Sequence, residues 1–362
     1  MDAYPEKKKA FYPMIINKGQ NTASKGETGA TQVWPMDIPR DIYHTDWVSQ
    51  RTQSWLGTQS SDKPWFCWMS FPDPHHPWDI PASELHRINW RDVPLPRLYS
   101  ENRSQLESWL NEKPLHWRGY FDGSLWTNLE SPREFVPADM TADQVREINA
   151  MTHIENELID EAVGDVIGFL HSKQWLRNTD IFFTTDHGEL QGDFGLLFKG
   201  PYHIDALMHL PFIWKPAEVA NISPAEVASP VGHLDLASTF CAIAGISTPD
   251  YCEGKPLPTS EDEAVRQERE IVLTEWDSET GPIDMHLKSI YHRDGFLCTA
   301  YEKSHLYEGT EGELYDMRED PDQLRNLWSD PGYAVHRTEL TDRLYASLPE
   351  ETTEKLPRKA PV

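Results

Sequence analysis

Apolar runs of strand length alternate with amphipathic helical segments between residues 40 and 250, and this alternation limits the folds open to the chain. Apolar positions from Ile148 to Leu170 recur at helical spacing behind a capping-box sequence at Thr141. Uninterrupted apolar runs are typical of strands that are covered on both faces. The pattern predicts an α/β fold with a mainly parallel sheet sandwiched by helices. The runs are residues 65–71 (WFCWMSF), 180–185 (DIFFTT) and 210–215 (LPFIWK).

The pattern changes towards the C-terminus, where strand-like segments follow one another with only short polar turns between them. This spacing predicts an antiparallel meander, followed by a helix near residues 337–347. We therefore divide the chain into three parts. They are an irregular segment 1–40, an α/β core 41–262 with a loop insertion at 82–140, and an α+β subdomain 263–362.

The charge balance restricts the partners. The 362 residues contain 33 Lys and Arg against 59 Asp and Glu, a net charge of −26. Such acidity argues against nucleic acid or an anionic membrane as a partner. No apolar run is long enough to span a bilayer and the first residues do not resemble a secretory signal, so a cytoplasmic location is expected. The four cysteines show no CxxC spacing, which argues against a cysteine-rich zinc site.

Asp186 and His187 directly follow the second apolar run, and Gly188 allows a sharp turn after them. A carboxylate beside an imidazole suits one divalent transition metal, Zn or Mn, better than Ca. The alternative is that Asp186 caps the following turn and that His187 is its hydrogen-bonded partner.

Three further residues are candidates for binding or proton transfer. Lys199 lies between an apolar run and a Gly-Pro turn, where it could bind an anionic oxygen or extend along the surface. His75 and His76 are flanked by prolines, which restrict the backbone, and either could serve as a ligand or a proton donor. Both histidines follow the end of an apolar run, as Asp186 does, so one shared site is expected.

Several segments together resemble the sulfatase family of the alkaline phosphatase superfamily, in its arylsulfatase and phosphonate monoester hydrolase branch. The Asp-His-Gly sequence is followed by a lysine thirteen residues after the aspartate. The resemblance runs from about residue 40 to residue 350. The other matching segments are 70–81 (SFPDPHHPWDIP), 232–246 (GHLDLASTFCAIAGI) and 313–327 (ELYDMREDPDQLRNL).

The resemblance implies roles for these residues. Asp186 and His187 match two of the family's metal ligands, Lys199 matches the lysine that holds the sulfuryl or phosphoryl oxygens, and His75 matches the histidine near the leaving group. A third metal ligand could be His75, His76 or His203. His233 is a weaker candidate for substrate binding, and both His203 and His233 could instead cap a helix or pack.

Two other family features are not found in these residues: a strand that ends in Asp-Asp, and the Cys/Ser-x-Pro-x-Arg sequence whose first residue becomes formylglycine. None of Cys67, Cys241, Cys252 and Cys298 stands in such a sequence. We therefore expect an N-terminally truncated relative that hydrolyses phosphate, phosphonate or sulfate esters, phosphotriesters included. Its nucleophile would be metal-bound water.

The alternative is a protein that catalyses no reaction. It could be an inactive homologue or a subunit that binds a partner chain. It could also be a module that binds sulfated or phosphorylated sugars. An α/β sheet that lacks a segment exposes a strand edge and apolar surface. A homodimer is expected under either hypothesis.

Overall fold

The computed structural model describes residues 26–349, apart from 129, 130, 133, 281 and 282. The chain divides into two compact units, which are described separately. The first contains residues up to 111 together with 115–223, and the second contains 112–114 together with the residues from 224 onward. Residues 1–25 of the predicted irregular segment 1–40 lie outside the described residues.

The boundary at residues 223 and 224 precedes the one at 262 and 263 that the sequence suggested. Polar contacts tie the residues between these two positions to the second unit. The Glu261 side chain accepts hydrogen bonds from the Ser229 backbone and hydroxyl at 3.1 and 2.6 Å. Arg269 Nη1 donates to Asp235 Oδ2 at 2.7 Å, and both side chains are buried.

The first unit is built on a helix of 31 residues that the sequence predicts well. The Thr141 hydroxyl accepts a hydrogen bond from Gln144 N while the Gln144 side chain binds the Thr141 N–H, which completes the capping box. Ile148, Ile154 and Leu158 are fully buried on one face of the helix. The helices of this unit are α1 (His44–Leu56), α2 (Arg103–Leu110), α3 (Leu115–Asp122), α4 (Ala142–Ser172) and α5 (Asp205–Met208).

The insertion 82–140 is more regular than predicted, because it contains α2 and α3. Asn102 caps α2 by accepting a hydrogen bond from Ser104 N at 3.1 Å. Leu106 and Leu110 of α2 are buried, as are Trp117 and Tyr120 of α3. These buried side chains form the apolar faces of two short helices.

Two strands form the sheet of the first unit, β1 (Ile181–Thr184) and β2 (Phe212–Lys215), and they pair antiparallel. The prediction of a mainly parallel sheet is therefore wrong for the strands described here. Parallel pairing needs a neighbour that runs in the same direction, whereas β2 returns along β1 after the intervening loop. Residues 65–71 make no ladder with a described strand; Trp65 and Met69 pack near Leu56, while Phe66 and Trp68 are exposed.

The second unit confirms the predicted antiparallel sheet and closing helix. Four strands pair in chain order, and every residue of β5 and β6 is buried. Leu340 and Leu344 of the last helix pack against the sheet at Ile290, Cys298 and Leu314. The elements of this unit are α6 (Leu234–Ala244), α7 (Glu261–Arg266), β3 (Ile271–Thr280), β4 (Ile283–His292), β5 (Phe296–Tyr301), β6 (Gly312–Asp316) and α8 (Ala334–Ser347).

Together the two units confirm the α/β class with a small C-terminal antiparallel sheet and helix. A search of the described helices for one both long and apolar enough to cross a bilayer finds none. The longest, α4, carries acidic residues along most of its length.

Candidate active site

Two loops of the first unit meet at a contact between Lys199 and His75. The Lys199 ammonium nitrogen Nζ lies 2.7 Å from His75 Nε2, although 124 residues separate them in the chain. The Lys199 side chain is 14% exposed, so it lies under the surface but can be reached from solvent. Two residues that the sequence indicated separately as candidates are thus in direct contact.

Hydrogen bonds define the state of the His75 ring. Its Nδ1 is bonded to the backbone oxygen of His76, which can only accept, so Nδ1 carries the proton. Nε2 therefore presents its lone pair to the Lys199 ammonium group. On the other side, Glu189 Oε2 lies 3.9 Å from Lys199 Nζ. The lysine is placed between an imidazole and a carboxylate.

The backbone before Lys199 adopts an uncommon conformation that aromatic packing supports. Phe198 has a φ of +69°, in the left-handed region that bulky residues rarely occupy. Its buried ring stacks on Trp78 with a centroid distance of 6.2 Å and meets His76 edge-on at 4.6 Å. Because Trp78 and His76 belong to the loop that carries His75, this packing joins the two loops behind the Lys199–His75 contact.

Asp186 and His187 follow β1 directly. Asp186 Oδ1 accepts hydrogen bonds from His187 N at 3.0 Å and from the Thr185 hydroxyl at 3.2 Å. An added Cβ at Gly188 would lie 1.9 Å from the backbone oxygen of Ala206 in α5, so a side chain cannot be accommodated there. The close approach of this loop to α5 therefore requires glycine.

The donor atoms of this pair suit one divalent metal ion. The Asp186 side chain is 84% exposed, and its Oδ2 lies 3.6 Å from His187 Nε2. Two ligand atoms that each lie about 2.1 Å from one ion are roughly 3–4 Å apart, so these two atoms could share a metal. His187 Nδ1 is bonded to Gly188 O at 2.8 Å, which leaves Nε2 as the unprotonated nitrogen.

The pKa of Asp186 is also consistent with a charged ligand. Partial desolvation raises this pKa, but the neighbouring His187 imidazole and hydrogen bonds from backbone N–H groups and Thr185 outweigh that effect. The net pKa lies below the usual range, so the carboxyl is ionised at neutral pH. Within the described part of the chain, no third Asp, Glu, His or Cys completes a close cluster with this pair.

The remaining candidate histidines lie in different surroundings. His76 is buried against Phe198 and stacks on His75 with a centroid distance of 4.1 Å. His203 is also buried, and burial lowers its pKa to about 4, which favours the neutral ring that a metal ligand requires. His233 is exposed at the start of α6 and belongs to the second unit. Metal binding by His203 and substrate binding by His233 stay predictions.

A cluster that the sequence analysis missed lies behind the His75 loop. His44, Asp73 and Asp79 are buried, and each offers a ligand atom within 4.8 Å of the others, so this group could also hold a metal. One signal is local: Asp73 stands between prolines two residues before His75, where a charged side chain has to be either solvated or paired. Its partner at the start of α1 is distant in sequence, so the cluster could not be recognised.

Cys67 and Cys298 do not have the properties of activated nucleophiles. Cys298 is buried in the second unit, and burial raises its pKa to about 12. Burial also raises the pKa of Cys67. A nucleophilic thiol needs a lowered pKa, so these surroundings act in the opposite direction.

Comparison with known proteins identifies the family of the chain. Residues 2–246 match the sequence model of the sulfatase family, and residues 192–350 match that of the N-sulphoglucosamine sulphohydrolase C-terminal region. The chain is 29% identical over 299 residues to "Uncharacterized sulfatase YidJ" of Escherichia coli K12, covering 82% of this chain and 54% of that protein. It is 25% identical over 301 residues to an arylsulfatase of Clostridium perfringens, covering 83% of this chain and 56% of the relative.

The chain thus spans about half the length of the curated relatives that it matches. Among solved structures, the phosphonate monoester hydrolase of Agrobacterium radiobacter superimposes with a TM-score of 0.74 at 21% identity, covering 96% of this chain and 69% of the other. That likeness establishes the fold. The family match covers most of the sequence, and the chain belongs to the sulfatase family.

Proposed function

We propose that the chain acts in the hydrolysis of sulfate, phosphonate or phosphate esters, with Lys199 and His75 at the reacting group. The observation that supports this most directly is the 2.7 Å contact between Lys199 Nζ and His75 Nε2. The chain has a net charge of −26, so most of its surface repels anions. The Lys199 ammonium group is sheltered but still reached by solvent, and it therefore offers a specific binding site for an anion. The relatives named above are hydrolases of this class.

Lys199 would bind the non-bridging oxygens of the ester, where negative charge develops in the transition state. His75 would first take up a proton from solvent at Nε2, and the protonated Nε2 would then donate that proton to the leaving oxygen. The Nδ1–H bond to His76 O keeps Nε2 directed at this position, so the ring need not rotate before it acts.

Asp186 and His187 would hold one divalent metal ion through Oδ2 and Nε2. When bound, such an ion polarises the ester oxygen and lowers the pKa of water. Asp186 contributes an ionised carboxylate, and His187 contributes the nitrogen that its bond to Gly188 leaves unprotonated. Gly188 fixes the loop against α5 and so orients both side chains.

The charges near Lys199 favour a singly charged ester. Glu189 lies 3.9 Å from the ammonium nitrogen, so it offsets part of the positive charge that a substrate meets. A sulfate monoester and a phosphonate monoester each carry one negative charge, whereas a phosphate monoester carries close to two at neutral pH. We infer that monoanionic esters are the better substrates.

The test uses the 362-residue chain and three 4-nitrophenyl esters: the sulfate, the phenylphosphonate and the phosphate. Each is assayed before chelation, after exhaustive chelation, and after Zn or Mn is restored. We expect the two monoanionic esters to be hydrolysed at least about tenfold faster than the phosphate, and all turnover to stop on chelation. Turnover that persists without metal contradicts the proposal. Binding of sulfate with no hydrolysis of any ester would assign the chain to anion binding instead.

A further inference from the structure

Backbone hydrogen bonds shape both ends of the loop that carries His75. At its far end, Trp78 N donates to Gln32 O at 2.9 Å, and Trp34 N donates to Trp78 O at 2.8 Å. At its near end, His75 N donates to Pro72 O at 3.2 Å, which closes a tight turn around Asp73 and Pro74. The position of His75 therefore depends on what holds this turn.

The Asp73 side chain holds the turn against the start of α1. The carboxylate has no exposed surface. Its Oδ2 accepts hydrogen bonds from the Tyr43 hydroxyl at 2.7 Å and from the Thr45 hydroxyl at 2.6 Å, and its Oδ1 lies 2.5 Å from His44 Nε2. Three consecutive residues thus contribute their side chains to one carboxylate.

We propose that Asp73 is a positioning residue that sets His75 Nε2 against Lys199; this proposal rests on the function proposed above. The His75 ring is tied to its own loop through Nδ1 and His76 O, so a movement of the turn moves Nε2 with it. A displacement of about 1 Å in a reacting group can cost roughly a hundredfold in rate. In this proposal Asp73 acts through the turn that carries His75 and not on the ester itself.

A carboxylate is suited to this role because it only accepts hydrogen bonds. The two hydroxyls and the His44 nitrogen that face it can all donate, and between them they fill both oxygens. An asparagine of the same shape would direct N–H bonds at one of these groups and disrupt the arrangement. Asp79 is a second buried carboxylate near His44 and Asp73, which adds negative charge beside the same imidazole.

Asp73→Asn is the test variant, and Asp235→Asn is its matched control. Asp235 is also a buried aspartate with several hydrogen bonds, to Arg269 Nη1, Gly232 N and Lys255 N, but it belongs to the second unit. A general loss of stability should affect both variants. Tyr43→Phe and Thr45→Val each remove one hydrogen bond to Asp73 and serve as milder variants if Asp73→Asn does not fold.

The primary measurement is the nitrogen NMR signal of His75 Nε2 in histidine-labelled protein, assigned by its loss in His75→Gln. We expect a changed Nε2 signal in folded Asp73→Asn, smaller changes in Tyr43→Phe and Thr45→Val, and none in Asp235→Asn. An unchanged signal in folded Asp73→Asn, or in both milder variants if Asp73→Asn is unfolded, overturns the proposal. This NMR signal can be measured without turnover. A wild-type chain that is inactive would therefore contradict the proposed function but not the positioning role of Asp73.

Kinetics provide the second measurement in a chain that turns over. We expect Asp73→Asn to lower kcat by about tenfold to a hundredfold while KM changes by less than about threefold, because anion binding by Lys199 is retained. Equal losses in Asp73→Asn and Asp235→Asn would indicate a structural role only.

Discussion

Lys113 and Lys199 are each followed by proline within two residues, yet the fold gives them different surroundings. Lys113 has no exposed side-chain surface and donates to Tyr315 Oη at 2.9 Å and to Gln323 O at 2.6 Å. Lys199 is partly exposed and faces His75 and Glu189. The first lysine is enclosed by the second unit, whereas the second can still meet a ligand. Their sequence contexts do not separate these roles.

The buried surroundings of Lys113 change its pKa. Burial lowers this pKa to about 8, and the attraction of Glu313 at 4.0 Å offsets only part of the effect. Glu313 also accepts hydrogen bonds from Tyr301 and Tyr315, each at 2.6 Å, which disperses its charge. Both lysines have polar partners, but they differ in access to solvent. Lys113 is enclosed and has a structural role, whereas Lys199 can still be reached from solvent and is a candidate for catalysis.

The largest effect is expected from removal of the two residues that are proposed to hold a metal ion. Asp186→Ala and His187→Ala should each lower bound metal below one ion per chain and reduce ester hydrolysis by about a thousandfold, since a metal supplies several kcal/mol of charge stabilisation. Metal content by mass spectrometry and kcat/KM check this. Either variant retaining full metal content and activity would place the metal elsewhere, with the His44, Asp73 and Asp79 cluster the next candidate.

Lys199→Ala should lower kcat/KM by about a hundredfold, because one lost contact to a developing oxyanion typically costs about 3 kcal/mol. Bound metal and melting temperature should stay close to those of the wild type. Lys173→Ala removes an exposed lysine of the same unit and should change kcat/KM by less than about twofold. A similar loss in both variants would mean that overall charge, and not the Lys199 site, is responsible.

Lys113 should make stability rise with pH. Its folded pKa of about 8 lies below the ordinary value of 10.5, so the folded state releases this proton more readily than the unfolded state. The buried positive charge of Lys113 destabilises the folded state in full below pH 8, and this destabilisation decreases as the pH approaches 10.5. Between pH 7 and 9.5, the free energy of unfolding of the wild type should gain about 2 kcal/mol relative to Lys113→Met. Parallel urea-unfolding profiles for the two proteins would contradict this.

The smallest effect is expected from the cysteines. Replacing Cys67, Cys241 and Cys252 by Ser, one at a time, and Cys298 by Ala should change kcat by less than about twofold in folded protein, since the proposed reaction uses no thiol. For Cys67 and Cys298, burial also raises the pKa, whereas an activated thiol has a lowered pKa. Loss of turnover in one folded variant, with metal retained, would identify a thiol as the nucleophile.

Local patterns in the sequence predicted much of the fold, because helix caps and apolar periodicity are local. The capping box at Thr141 and the meander of the second unit are examples. The direction of strand pairing was predicted wrongly, because the partner of β1 is set by the path of the loop that leads to β2 and not by the composition of either strand.

Short sequences indicated His75, Asp186, His187 and Lys199 as candidate residues, and the structure brings His75 and Lys199 into contact. The contacts that support this pair could not be predicted, since Asp73 meets the start of α1 about 30 residues away and Phe198 meets Trp78 over a longer separation. Nothing in the sequence near Lys113 indicates that Tyr315 and Gln323 enclose it, because its partners lie more than 200 residues further along the chain.

A double-mutant cycle between His75 and Lys199 tests the central claim most directly. His75→Ala, Lys199→Ala and the double variant are compared with the wild type by kcat/KM for 4-nitrophenyl sulfate and by calorimetric binding of sulfate. If the two side chains act on one anionic group, their effects should be non-additive by about 1 kcal/mol or more, as for residues in contact. Effects that add to within about 0.3 kcal/mol in both measurements would contradict a shared site.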